Sequence, residues 1–155
     1  NNINYKIIND FRYGKTKNSE YDLALKFCKT DLILLAGFMK KIPLNIINNY
    51  PNKIINIHPS LLPKFGGKGF YGMKVHEAAI KSKDKFSGPT VHFVNKKYDC
   101  GLIIKQKKIK ISNNDTSIIL SKKVLKAEHE IYAEVVRAYC LDKIEIIKNK
   151  VIISE

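Results

Sequence analysis

The sequence predicts an α/β fold with a Rossmann-like, doubly wound, mainly parallel sheet. Three observations carry that expectation. Two short apolar runs, DLILLAG (31–37) and KIINIH (53–58), read as strands buried on both faces, as in a parallel sheet. IPLNIINNY lies between them and reads as a short helix, so the three form a βαβ unit, right-handed by default. Longer helical patterns follow downstream, interleaved with further strand patterns.

Taken in order, NYKIIND reads as a short strand. A helix starts near Glu20, with Ser19 as N-cap, Asp22 at the capping-box position and Leu23 and Phe27 on its apolar face. Pro43 suits the first turn of the helix in IPLNIINNY. MKVHEAAIKS (73–82) is helical, and His76 reads as an exposed position on it. GPTVHFV (88–94) and LIIKQKKIKI (102–111) read as strands, with NKKYDCG as a polar turn between them. Asn114 and Asp115 cap a long helix through about Cys140, in which Leu120, Val124, Ala127, Ile131 and Val135 recur at helical spacing. IEIIKNKVIIS reads as a hairpin turning at Lys148-Asn149-Lys150.

The 155 residues suit one domain, and 45% apolar residues is a globular level. No apolar run reaches the roughly 18 residues of a membrane span, and the first residues lack the apolar h-region of a signal peptide. The net charge of +14 comes from lysines scattered along the whole chain. Scatter points to a solvated basic surface, which attracts small anions, more than to a nucleic-acid interface. Three cysteines, Cys28, Cys100 and Cys140, without a C-x-x-C pair suit a reducing cytoplasm.

The run IINIHPSLLP (54–63) poses the functional question, because it places Asn56 and His58 in a buried strand. Alternation puts both on one face, with Ile55 and Ile57 on the other. In α/β sheets, ligands sit beyond the C-terminal ends of the strands, where these two residues fall. An amide donor can hold a developing oxyanion, and an imidazole can move a proton near neutral pH. Together they suit attack on a carbonyl. Cys100 reads as a turn residue rather than a nucleophile. His58, His76 and His92 lack zinc-ligand spacing, so no metal is expected.

NIHPSLLPKF, followed by GPTVHFV and YDCG, resembles the folate-dependent formyltransferases. DLILLAGFMKKI and AEHEIYAEVV are similar to the branch that acts on glycinamide ribonucleotide, and FGGKGFYGMKVHEA to one bacterial form of it. The resemblance implies a formyltransferase fold with 10-formyltetrahydrofolate as co-substrate and no metal. It implies small-molecule partners, no nucleic acid or membrane, and a monomer or homodimer in the cytoplasm. Asn56, His58 and Asp99 take the positions of the catalytic triad. Met39, Lys40 and Ile42, with the loop Asn95, Lys96, Lys97 and Tyr98, take those of the folate pocket. Glu128 takes that of the acid binding the ribose hydroxyls.

Two departures accompany the resemblance. The family's first strand and its Gly-Asn-Gly-Ser phosphate loop have no counterpart here, so residues 1–155 are expected to form a catalytic domain lacking the start of that fold. Ala133 stands where a proline is usual. The missing loop leaves open an inactive folate-binding remnant. Another folate-dependent formyltransferase or hydrolase is a second alternative, although the hydrolases usually carry a histidine where this chain has Pro59. A basic nucleic-acid binder is a third, resting on charge alone.

Overall fold

The computed structural model describes residues 5, 7–8 and 20–154. The predicted strand over NYKIIND and the Ser19 cap lie largely or wholly outside them. The first described element is α1 (Glu20–Phe27). It turns Tyr21 and Leu25 toward the sheet, one helical turn apart, while Leu23 and Phe27, the expected apolar face, are exposed.

The α/β class expected from the sequence is the one observed, and its sheet is mixed. β1 (Ile33–Leu35), α2 (Leu44–Asn49) and β2 (Ile54–His58) form the βαβ unit, with β1 and β2 parallel and Ile33 opposite Ile54. α3 (Met73–Lys81) then leads to β4 (Thr90–Phe93), which runs antiparallel to β2. β5 (Ile103–Gln106) runs antiparallel to β4, as the short loop joining them requires, and the strand order is β1-β2-β4-β5. The expected single strand over 102–111 is broken after Gln106. Its second half, β6 (Ile109–Lys110), leaves the main sheet to pair with β3 (Phe86–Ser87).

α4 (Ser117–Cys140) crosses the sheet, followed by the predicted hairpin, β7 (Ile144–Ile147) and β8 (Lys150–Ile153). The N-cap of α4 is Thr116, whose hydroxyl accepts from the Ile119 N–H. Asp115, expected as a cap, instead accepts from the Ser112 N–H and pairs with Lys123. The periodic residues Leu120, Val124, Ala127, Ile131 and Val135 are all buried. Ile131 and Val135 pack on Ile55, Val91 and Phe93 of the sheet, and Leu120 and Val124 on Ala79 of α3. The opposite face of the sheet is covered by Ile42 and Ile46, packed on Leu35 and Ile54. The sheet is thus layered on both sides.

Candidate active site

The C-terminal ends of β1 and β2 open into a cavity of about 1130 Å³. Its walls are the 36–42 segment after β1, the 67–73 segment entering α3, the 94–99 loop after β4, and one face of α4. Strand alternation holds in that Ile55 and Ile57 pack with Ile131 and Val135 of α4, while Asn56 faces His92; Ile57 also lines the cavity.

His58 is buried, and its Nε2 lies 2.7 Å from the Phe65 carbonyl. A carbonyl only accepts, so Nε2 carries a proton, and neutral His58 keeps its lone pair at Nδ1. Nδ1 lies 3.7 Å from Asp99 Oδ2. A proton taken at Nδ1 would therefore face a carboxylate. Asp99 Oδ2 also accepts from the Gly67 N–H at 2.7 Å, which ties the glycine-rich loop to Asp99.

The turn that carries Asp99 is built for this approach. Asp99 has φ +51°, a left-handed conformation that Asp tolerates. Gly101 lies so close to β4 that a Cβ there would sit 1.6 Å from the Phe93 carbonyl oxygen. Asn95 braces the loop: its Nδ2 donates to the Cys100 carbonyl at 2.9 Å and its Oδ1 accepts from the Lys97 N–H at 2.9 Å. Beneath His58, the Thr90 hydroxyl donates to the Ser60 carbonyl at 2.6 Å. It accepts from the Leu62 N–H at 3.0 Å and the Gln106 amide at 2.8 Å. All of that hydroxyl's capacity goes into anchoring the loop after His58.

Every site residue singled out in the sequence lines this cavity: Asn56, His58, Asp99, Met39, Lys40, Ile42, Asn95, Lys96, Lys97, Tyr98 and Glu128. They differ in what they present. Met39 is exposed, whereas Ile42 is mostly core. Both polar ends of the Asn95 amide are engaged within the loop. Lys41, which was not singled out, lies 6.0 Å from the Tyr98 ring. Burial pushes the Glu128 carboxyl up to about 7.

Sequence reasoning missed two contributors, His76 and Tyr132, whereas the strand alternation of His92 with Thr90 and Val94 already points it toward this site. His76 is buried rather than exposed; it lines the cavity, and burial with His58 nearby holds its imidazole below the usual range. Tyr132 donates to the carbonyls of Leu35 at 3.0 Å and Ile55 at 3.1 Å, joining α4 to the ends of β1 and β2. Its spacing of one turn from Glu128 was the available signal, since 125, 128, 132 and 136 share a helix face. His92 is buried beside Asn56 and Asp99. His58, His76 and His92 thus share one cavity, yet no group of three or more His, Cys, Asp or Glu among the described residues could hold a metal.

The formyl transferase family matches residues 3–136. The chain belongs to that family. It is 50% identical, over 74% of its length, to the chloroplastic phosphoribosylglycinamide formyltransferase of Arabidopsis thaliana, and covers 39% of that relative. The crystal structure of phosphoribosylglycinamide formyltransferase from Anaplasma phagocytophilum superposes with a TM-score of 0.80 at 35% identity, over 87% of this chain and 63% of that one. A formyltetrahydrofolate deformylase from Pseudomonas syringae reaches the same TM-score of 0.80 at 27% identity, over 88% of this chain and 44% of that one. The family fold is therefore shared by transfer and hydrolysis enzymes. The chain spans about two fifths of its plant relative.

Proposed function

We propose that this chain carries the catalytic site of a phosphoribosylglycinamide formyltransferase, with residues 1–155 acting as one unit of the fold. The reaction would move a formyl group from 10-formyltetrahydrofolate to the amine of glycinamide ribonucleotide. The observation that carries this reading is that Asn56, His58 and Asp99 line one large cavity, with His58 Nδ1 3.7 Å from Asp99 Oδ2.

The chemistry follows from the atoms presented. The substrate amine attacks the formyl carbon, forming a C–N bond and pushing the carbonyl electrons onto oxygen. The Asn56 amide N–H would hold that oxyanion; such donors contribute about 3–4 kcal/mol. His58 would take the amine proton at Nδ1, where Asp99 favours the resulting imidazolium. Collapse breaks the bond to folate N10, and the proton passes to that nitrogen. The products are formylglycinamide ribonucleotide and tetrahydrofolate, so atoms and charge balance. Water can bridge any proton path longer than a hydrogen bond.

Size and lining support both substrates. A cavity of 1130 Å³ exceeds what one drug-sized ligand fills. Met39, Leu35 and Val94 offer an apolar wall for a flat heterocycle, with Lys40, Lys96, Lys97 and Tyr98 at its edge. Glu128, across the cavity on α4, would accept from the ribose hydroxyls. A reducing compartment suits three exposed thiols, either cytoplasm or the plastid named for the plant relative. No helix among the described residues is long and apolar enough to cross a membrane.

Hydrolysis of the formyl donor is the second reading, favoured by the deformylase likeness. Supplying formyl-labelled folate with and without glycinamide ribonucleotide separates the two. Label appearing in formylglycinamide ribonucleotide supports transfer. Formate released at the same rate without the nucleotide would replace it with hydrolysis.

A further inference from the structure

His92 has no part in the chemistry above, yet it is nearly fully buried, at 2% exposure, and touches the reacting groups. Its partner is set by strand register: β2 and β4 place Asn56 directly opposite His92. Its Nδ1 lies 2.9 Å from the Phe93 carbonyl oxygen, so that nitrogen must be the donor. Nε2 then keeps its lone pair, and it lies 3.2 Å from Asn56 Nδ2. An amide nitrogen only donates, so the contact is an Asn56 N–H given to His92 Nε2.

We propose that His92 is a positioning residue that acts through Asn56, fixing which end of that amide faces the cavity. One N–H of Nδ2 is committed to His92, which leaves the second N–H and the carbonyl oxygen with defined directions. Without the acceptor, the two ends of the amide become nearly equivalent. A flipped amide would aim its oxygen where the oxyanion develops, turning a stabilising contact into a repulsive one. A protonated His92 would do the same, because Nε2–H cannot accept from Nδ2–H.

The surroundings keep His92 neutral. Burial lowers its proton affinity most, and His58 adds to that; the Phe93 carbonyl and Asp99, whose Oδ1 lies 3.7 Å from Nε2, act in the opposite sense. The net direction is below the usual histidine range. The sequence supplies the carbonyl partner from the next residue, so the tautomer is fixed locally within β4.

The activity part of the test rests on the formyl-transfer reading, and the spectroscopic part does not. Nitrogen-15 NMR of the imidazoles in the full protein should show His92 protonated at Nδ1 and bare but hydrogen-bonded at Nε2 near neutral pH. Asn56→Ala should move the Nε2 resonance to that of an unbonded lone pair. His92→Phe should lower kcat by about 100-fold with KM for both substrates little changed. His92→Gln, which offers an oxygen acceptor, should recover most of that loss. In the Asn56→Ala background, His92→Phe should cost less than about threefold more, because the two act as a unit. An Nε2–H tautomer, or an undiminished effect of His92→Phe without Asn56, would overturn the proposal. Should His92→Phe fail to fold, His92→Gln and the NMR still decide it. Should the wild type transfer no formyl group while the NMR bond is present, the functional reading fails and the positioning stands.

Discussion

Glu128 shows how burial alone changes what a side chain does. Its carboxyl is lifted from 4.5 to about 7 by loss of water on the cavity-facing side of α4. The folded chain thus holds a proton that the unfolded chain has released. Stability from this group is full below about pH 4.5 and is lost as pH rises through about 7. Urea midpoints for wild type and Glu128→Gln should converge at low pH and separate by pH 8, with the variant more stable. Equal pH slopes in both would contradict the burial. At this scale Asn56 and His58 were legible, because polar side chains inside an isoleucine strand break its pattern. Asp99 was legible only through resemblance, since an Asp before Cys-Gly is ordinary turn chemistry. His76 was misread. Its neighbours Lys74 and Glu77 look solvated, but α3 meets α4 through Ala79, buries Val75, and meets the cavity through Met73 and His76. One helix with two buried faces defeats a reading that looks for one.

At the scale of elements, the loops hold the site and the strands hold the loops. Thr90 anchors the segment after His58, and Gly101 lets the YDCG turn close on β4. Gly101→Ala should cost more than about 2 kcal/mol, because the added Cβ meets backbone that cannot swing away. It should also lower turnover by displacing Asp99. Denaturant unfolding and kcat measured on one preparation check both; an unchanged midpoint would mean the turn tolerates the approach. The βαβ unit, α3, α4 and the final hairpin were readable because each follows one period. The break after Gln106 was not, since its cause lies elsewhere in the chain. Gly88, at φ +142°, packs against the Lys107 carbonyl, and β3 draws β6 out of the main sheet. α1 was misread for a similar reason: its apolar residues point two ways, and only tertiary packing chooses Tyr21 and Leu25.

For the molecule as a whole, 28 basic against 14 acidic side chains set the field that substrates meet. Several lysines pair on the surface, as Lys105 with Glu134 at 2.7 Å and Lys64 with Asp84 at 2.7 Å, and such exposed pairs add little to stability. Lys40, Lys41, Lys68, Lys96, Lys97 and Lys122 line the cavity. On the proposed formyl-transfer reading, KM for the anionic nucleotide should rise several-fold as salt is raised from about 0.05 to 0.5 M, with kcat nearly constant, because screening acts on approach. A flat KM would remove these lysines from the account. The central claim, that His58 and Asp99 work as one proton-handling pair on a formyl group, is tested most directly by single-turnover formyl transfer. The rate would be compared in wild type, His58→Ala, Asp99→Asn and the double variant. The account predicts a loss of about 100-fold or more in each single variant and little further loss in the double. Near-wild-type transfer in either single variant would contradict it.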